Sequence, residues 1–363
     1  MHLIPPYIAL FFLYGIIPPY LSILVSGLGY NTSLVGILLA ISEGAGICGP
    51  FLFGHAADKS GKYKGGMILA YALTAAGAVP LALLVHPVLS ALFIALLALG
   101  YRSALPLMES LATLSIGGKG SYGKIRMTGS ISFISFLLFL QWVPVLRPDT
   151  PVNISLWIVI TAALAVFTVL FLPSRLTSAG PRQGKTPEEK APAYRRREIW
   201  TPAFILGFAM IFLSRLAMTP INSFLSLYLV NYLRWDAVAL MWALASVGEI
   251  PFMYASSRLI RRFGVMPILA LTTAAVGVRL LLYVLFPTKA GVIAAQLLHT
   301  LCYGLFHPAA VSFIADRVPP QHRAYGMTLY LSLGLGLPTF IGSFIGGFIV
   351  DHGGYPLLFG SFS

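Results

Sequence analysis

Seven Glu and Arg residues of this chain lie inside long apolar stretches, where a charge needs a partner. Three are acids and four are arginines: Glu43, Glu109, Glu249, Arg102, Arg126, Arg215 and Arg279. One charged side chain at the centre of a bilayer costs roughly 2.5–3.5 kcal/mol, so seven facing lipid would cost on the order of 20 kcal/mol. We therefore expect these residues to pair with one another or to line a water-filled cavity, where they could bind solutes or carry protons.

Proton transfer is the first chemistry that these residues suggest. His299 lies near the middle of its apolar stretch, at a depth similar to that of Glu249 and Arg279 when 1.5 Å is counted per residue. Because a histidine changes its charge near neutral pH, His299 and Glu249 are candidates for carrying a proton. Glu43 and His307 are further candidates. The alternative for each is structural, either an interhelical ion pair or a hydrogen-bonded packing residue.

A second group of charges flanks a short basic turn. Glu109 precedes Gly117-Gly118 by eight residues, and Arg126 follows them by eight. If the chain folds back at these glycines, the two opposite charges stand at similar depth on adjacent helices. Arg102 lies seven residues before Glu109 and therefore on the same helix face.

The elements that must position these residues are membrane-spanning helices. The chain has 363 residues, of which 58% are hydrophobic and 10% charged, whereas a soluble domain carries about 25% charged residues. Apolar runs of about 20 residues can cross a bilayer, and eleven are expected. They lie near 5–27, 34–57, 66–86, 88–113, 123–146, 154–173, 201–230, 237–257, 265–287, 290–315 and 325–350. A twelfth begins at Tyr355 and is incomplete at Ser363, so the fold class is an all-α polytopic membrane protein.

A polar segment divides the spans into two sets of six. Residues 174–199 contain three prolines and seven Lys/Arg against three Glu, which is typical of a solvated linker. The predicted domains are therefore an N-terminal six-helix bundle at 1–173, a linker at 174–199 and a C-terminal bundle at 200–363.

The basic residues predict the orientation in the membrane. Loops after even-numbered spans and the linker hold 17 Lys/Arg, whereas loops after odd-numbered spans hold only Arg147, Arg234 and Lys289. Since cytoplasmic loops carry the excess of Lys/Arg, the N-terminus and the linker are expected on the cytoplasmic side of a bacterial inner membrane. This bias accounts for most of the net charge of +13, so the lipid bilayer and not a nucleic acid is the expected partner.

The two halves also resemble each other in sequence. Gly54–Lys64 follows the second span, and Ser257–Gly264 follows the eighth; each combines glycine with clustered cations. A six-plus-six repeat is typical of a transporter that rocks around a site near the bilayer midplane.

The first of these loops resembles a motif of the major facilitator superfamily. Its pattern is G-x-x-x-D-K-x-G-K-x-K, which is complete here at Gly54, Asp58, Lys59, Gly61, Lys62 and Lys64. The resemblance implies two six-helix bundles with pseudo-twofold symmetry around a central cavity. It also implies that this loop gates the two halves and does not bind substrate.

A closer resemblance, to the lactose permease and phenylpropionate permease branch of proton symporters, covers nearly the whole chain. It rests on Pro106–Glu109, Tyr122–Gly129, Glu249, Val278-Arg279, Leu298-His299 and His307. It implies that Arg126 binds substrate with Glu109 as its partner. The chain departs from lactose permease at Gln296 and Cys302, which replace a lysine and a glutamate of the coupling machinery, and at Arg215, where that protein has acids. Arg102 matches neither pattern well.

These observations predict a secondary active transporter, a proton symporter of a small polar solute that works by alternating access. Four arginines against three glutamates favour an organic, aromatic carboxylate; the alternatives are a sugar or nucleoside and, more remotely, a non-transporting receptor. The expected substrate-binding residues are Arg126, Glu109, Tyr14 and Arg102, and the coupling residues are Glu249, His299, Arg279, Glu43 and His307. Pairing of Arg279 with Glu249 in one state and release in another would give the bistable element.

No nucleophile–base pair or metal-ligand cluster is evident in the sequence, so neither an enzyme nor a cofactor is expected. The coupling ion is expected to be the proton rather than sodium, and the chain is expected to be a monomer.

Overall fold

The computed structural model describes residues 2–116, 119–143, 146–173, 199–319 and 322–363; for 113–116, 119–126, 323 and 324 it describes the backbone alone. The chain forms two compact units, Met1–Thr186 and Pro187–Ser363. The described part of each unit is built from helices, which confirms the all-α polytopic fold.

In its described ranges, the first unit contains six helices. They are α1 (Ile4–Ser26), α2 (Thr32–Ser60), α3 (Tyr63–Leu83), α4 (Pro87–Ile116), α5 (Lys119–Trp142) and α6 (Pro151–Leu170). Helix α4 packs against α2 and α3, and α6 packs against α1 and α3. Glycines allow the tightest approach: a Cβ on Gly77 of α3 would lie 2.7 Å from the backbone nitrogen of Leu97 on α4. Small residues of this kind are how membrane helices pack closely.

Residues 199–319 and 322–363 of the second unit form seven helices and two π-helical segments. They are α7 (Pro202–Leu227), α8 (Val238–Phe263), α9 (Val265–Leu285), α10 (Lys289–Gly304), α11 (Phe306–Arg317), α12 (Arg323–Leu329) and α13 (Leu337–Ser361), with π-helical turns at Tyr228–Tyr232 and Tyr330–Gly336. Helix α9 packs against α7, α8, α10, α11 and α13, so it is the central helix of this unit. Polar residues on its inner face, such as Thr272 and Arg279, are buried.

Ten helical segments in the described ranges are long and apolar enough to cross a membrane. A shorter apolar helix, Met127–Trp142, lies where the fifth span was predicted. Together they lie where the eleven spans were predicted.

Local sequence explains where several helices begin and end. The side chains of Asn31, Thr150, Thr201 and Thr288 each accept a hydrogen bond from the first turn of the helix that follows. Gly61 ends α2 with φ 70°, and Gly264 ends α8 with φ 86°. Both values lie in the left-handed region that favours glycine. A left-handed glycine therefore ends the helix in each of the two related loops.

Two predicted spans are not continuous helices. The tenth breaks at Leu305, between α10 and α11, because Pro308 cannot donate to the carbonyl of Gly304 and its ring would clash with it. The eleventh consists of α12, a π-helical segment and α13. Helix α13 is itself broken at Gly354, whose φ is 73°, one residue before the predicted start of the twelfth span.

Candidate functional site

The most deeply buried charge of the described residues is Arg279, on the central helix α9. Its side chain is 1% exposed. Its Nη2 group donates to Oε1 of Gln296, and its Nη1 group lies 2.8 Å from Nδ1 of His299 and 3.8 Å from Sδ of Met218. Helices α7 and α10 thus surround this guanidinium with polar and polarisable atoms. Such partners are required, because an unpaired buried charge is strongly unfavourable.

His299 connects Arg279 to an acid. Its Nε2 lies 2.7 Å from Oε1 of Glu249, on α8. A guanidinium can only donate, so Nδ1 of His299 must be an unprotonated acceptor. A neutral imidazole then carries its hydrogen on Nε2 and donates it to the carboxylate. The geometry therefore assigns the tautomer of a buried row in which Arg279 donates to His299 and His299 donates to Glu249.

Two glycines, which have no Cβ, let α8 and α10 come close enough to form this row. A Cβ on Gly304 of α10 would lie 3.3 Å from the carbonyl oxygen of Glu249 and 3.6 Å from its Cα. On the opposite helix, a Cβ on Gly248 would collide with the methyl group of Thr300. Because no Cβ at Gly304 or Gly248 separates the two helices, the carboxylate of Glu249 lies within hydrogen-bond distance of His299.

A second polar group, formed by Tyr303, His307 and Tyr330, follows His299 along the chain. The ring of Tyr303 stacks on His299 with centroids 5.6 Å apart. One turn further, Nδ1 of His307 lies 2.7 Å from the hydroxyl of Tyr330, the first residue of a π-helical segment. His307 was expected to take part in coupling, and the structure pairs it with a tyrosine rather than with Glu249 or Arg279.

Arg215 lies on α7 and has a different environment from Arg279. Its Nε donates to Oγ1 of Thr339 over 3.1 Å. The hydroxyl of Thr339 in turn donates to the carbonyl of Leu335 over 2.8 Å, so its lone pair is directed to Arg215.

In the first unit, Glu43 on α2 and Arg102 on α4 form an ion pair. A Cβ on Gly46, one turn from Glu43, would lie 2.9 Å from Cγ of Arg102, so the arginine stem packs over this glycine. The sequence suggested coupling for Glu43 and substrate binding for Arg102. The structure brings the two together in one ion pair, and their roles stay predictions.

Tyr14 is half-buried on α1 and stacks edge-on against Tyr101, with ring centroids 5.6 Å apart. Its hydroxyl donates to the carbonyl oxygen of Tyr101 over 3.3 Å. Since Tyr101 precedes Arg102, Tyr14 lies beside the Glu43–Arg102 pair.

The predicted pair of Glu109 and Arg126 is only partly described. Glu109 is half-buried on α4, and Arg126 belongs to α5, but the side chain of Arg126 lies outside the described residues, as do Gly117 and Gly118. Their partnership stays a prediction.

The predicted gating loop is held by short-range bonds and by one cation. The hydroxyl of Tyr63 donates to Oδ1 of Asp58, and the N–H of Gly61 donates to the carbonyl of Ala57. Nζ of Lys64 lies 2.6 Å from the carbonyl oxygen of Leu170 and 3.2 Å from that of Leu172. A lysine at the carbonyl end of α6 is favourable for the helix dipole. Gly54, Lys59 and Lys62 are at least partly exposed.

Sequence reasoning did not foresee the roles of Gln296, Tyr303, Tyr330 and Thr339. Gln296 appeared only as a departure from lactose permease, although its position three residues before His299 places both on one helix face. Thr339 and Tyr330 gave no signal, since they are distant in sequence from their partners. In the described part of the chain, no group of three His, Cys, Asp or Glu residues could hold a metal ion.

Comparison with known proteins shows the family to which the chain belongs. The model of the MFS_1 like family matches residues 4–360. The chain belongs to this family. It is therefore a multi-pass membrane transporter of the major facilitator type, and the relatives it resembles are transporters rather than enzymes.

Two bacterial relatives are similar in sequence. The maltose permease of Geobacillus stearothermophilus is 27% identical over 355 residues, which is 95% of this chain and 86% of that protein. The uncharacterized transporter YwbF of Bacillus subtilis is 26% identical over 236 residues, or 64% of this chain and 56% of that protein.

Solved structures confirm the fold. The nucleoside transporter NupG superposes with a TM-score of 0.80 at 18% identity, over 99% of this chain and 94% of that chain. A POT family transporter in complex with a thioalcohol-conjugated peptide superposes with a TM-score of 0.78 at 14% identity, over 99% and 92%. At these identities the likeness shows the fold alone.

Proposed function

We propose that this transporter is a proton-coupled symporter of a small polar solute that works by alternating access. The observation that carries the proposal is the buried row of Arg279, His299 and Glu249. It contains two groups that can accept a proton, and both lie within hydrogen-bond distance of each other. The expected resemblance to the lactose permease and phenylpropionate permease branch agrees with this proposal.

An added proton has different effects at the two groups. On Glu249 it would leave the hydrogen bond between Arg279 and His299 in place. On Nδ1 of His299 it would set two donors and two positive charges against each other, so Arg279 would have to leave. The row therefore has two arrangements that protonation can bias, which is what coupling to a conformational change requires. Glu249 and His299 carry the proton in this proposal, and Arg279 is the group that they hold or release.

Two solute classes are candidates. A sugar is favoured by the similarity to a maltose permease over 95% of the chain. An organic carboxylate was favoured by the excess of arginine over glutamate inside the spans. Within the predicted spans of the second unit, Arg215 and Arg279 stand against Glu249 alone, which supports the carboxylate.

Proteoliposomes with a trapped pH indicator test the coupling. Addition of a transported solute from a panel of sugars, nucleosides and aromatic acids should acidify the lumen, and an imposed inward proton gradient should drive accumulation. Glu249→Gln should abolish gradient-driven accumulation while solute exchange continues, because the substitution keeps an acceptor for His299 and removes the titratable group. Uptake that follows a sodium gradient and ignores pH would contradict the proposal.

A further inference from the structure

In the described part of the second unit, one intramembrane cation has no carboxylate among its partners. Arg279 is connected through His299 to the carboxylate of Glu249. Arg215, in contrast, has no acid among its partners in the described residues. Arg215 is the fourteenth residue of α7, about 20 Å from the start of that helix at 1.5 Å per residue. It is therefore too deep for a lipid headgroup to balance its charge.

Only one of the three guanidinium nitrogens of Arg215 makes a hydrogen bond within the described residues. Only Nε is bonded, to Thr339, which is 1% exposed and held by its own bond to Leu335. The two Nη groups have no hydrogen bond to any described residue, and the Arg215 side chain is only half-buried. They can therefore donate to a solute that reaches this depth. Fixing Nε leaves the planar edge that carries Nη1 and Nη2 available for a bidentate acceptor.

Arg215 has an aromatic residue and a titratable histidine near it. Both Tyr330 and His299 interact electrostatically with Arg215. Tyr330 is bonded to His307 at the beginning of a π-helical segment, and such segments are frequent at functional sites. Tyr303, which is 39% exposed, stacks on His299 and offers an aromatic face. An acid with an apolar or aromatic body fits these neighbours.

We propose that Arg215 binds the anionic group of the transported solute, an organic carboxylate, through its two Nη groups, with Thr339 as the positioning residue. This inference rests on the proposed function and names its substrate class. It assigns a role to a residue at which the chain departs from lactose permease.

The position of Arg215 also gives a physical basis for coupling. Two cations, Arg215 and Arg279, act on the neutral His299. A carboxylate at Arg215 would cancel one of these charges, so that a proton taken from the medium by Glu249 or His299 meets less repulsion. Binding of the anion and binding of the proton would then favour each other equally, as linkage requires. One carboxylate and one proton would cross together without net charge.

The test compares each carboxylate with its own neutral amide. The full chain, purified in detergent, is screened by thermal shift and calorimetry against benzoate, 3-phenylpropionate, 4-hydroxybenzoate and glucuronate, each paired with the corresponding carboxamide, and against maltose. At least one carboxylate should bind, and its amide should bind about 10- to 100-fold more weakly, as expected for loss of a charge-assisted bidentate contact.

Variants locate the site. Arg215→Gln should reduce the preference for carboxylate over amide to near unity, and Arg215→Lys should keep charge but lose most of the affinity because lysine lacks the planar fork. Thr339→Val should weaken carboxylate binding less than Arg215→Gln does. The exposed Arg262→Gln, which changes net charge equally, should leave affinity unchanged.

The wild-type comparison keeps the inference falsifiable even if Arg215→Gln does not fold. It is overturned if no carboxylate binds, if carboxylate and amide bind equally, or if Arg215→Gln retains the preference. Proton-driven uptake of maltose that is unaffected by Arg215→Gln would overturn this inference and leave the proposed symport intact. Carboxylate binding without any proton dependence would overturn the symport and leave Arg215 as the anion site.

Discussion

At the scale of single residues, the chemistry of this transporter depends on which donors face which acceptors. Arg279 and Arg102 are both arginines in apolar helices, yet Arg102 meets a carboxylate directly and Arg279 meets a neutral imidazole. The first contact is a closed ion pair whose charge changes only if Glu43 is protonated. The second places a titratable ring between a fixed cation and an acid, which is why we propose that coupling occurs in the second unit.

The assigned tautomer of His299 predicts different effects for two amide substitutions. Asparagine can place its oxygen near the position of Nδ1 and still accept from Arg279, whereas glutamine can place its amide nitrogen near Nε2 and reach only Glu249. His299→Gln should therefore be less stable than His299→Asn by about 1–3 kcal/mol, since it leaves a buried guanidinium donor without its acceptor.

Chemical unfolding of both variants in the same detergent measures this difference. Equal stability, or a less stable asparagine variant, would contradict the assigned hydrogen-bond direction.

At the scale of helices, glycine determines how closely the polar groups approach. Gly304 lies at the contact of α8 with α10, directly opposite the backbone of Glu249. A similar use of glycine occurs on α2, where Gly46 makes room for the stem of Arg102. In each unit, a glycine that allows two helices to approach lies within one turn of an acid on its own helix: Gly46 beside Glu43, and Gly248 beside Glu249.

Gly304→Val should move α8 away from α10 and lengthen the contact between Glu249 and His299. We expect a loss of stability of about 1–3 kcal/mol, as for other overpacked positions, together with reduced proton-driven accumulation. Gly65→Val is the matched control, because a Cβ at Gly65 has no neighbour within 4 Å.

Thermal unfolding and uptake in proteoliposomes measure the two effects. The explanation fails if Gly304→Val is as stable and as active as the control.

At the scale of the whole molecule, the distribution of basic residues predicts the orientation in the membrane. Lys62 lies between α2 and α3 in a loop expected in the cytoplasm, and Asp236 lies between α7 and α8 in a loop expected outside. Both residues are exposed.

Single cysteines at these two positions test the orientation after Cys48 and Cys302 have been replaced by serine. A membrane-impermeant maleimide should label the cysteine at 236 in intact cells and the cysteine at 62 only after lysis. The opposite pattern would reverse the topology.

The sequence by itself determined the class of fold and the set of residues that matter. Apolar runs of span length, a proline at 308 and glycines at 61 and 264 act locally, so their consequences could be predicted without knowing what the helices touch. The cost of charge in lipid likewise identified Glu43, Arg102, Glu249 and Arg279 as residues that need partners.

Only the tertiary structure decided which residues became partners. Arg279 was expected to pair with Glu249, but His299 lies between them, because helix α10 passes close to α8 at Gly304. Thr339 holds Arg215 from 124 residues away. Such contacts depend on the rotation and spacing of packed helices, which sequence separation does not encode. For that reason the sequence could count the intramembrane charges, and the fold alone showed that Arg215 is the one without an acid among the described residues.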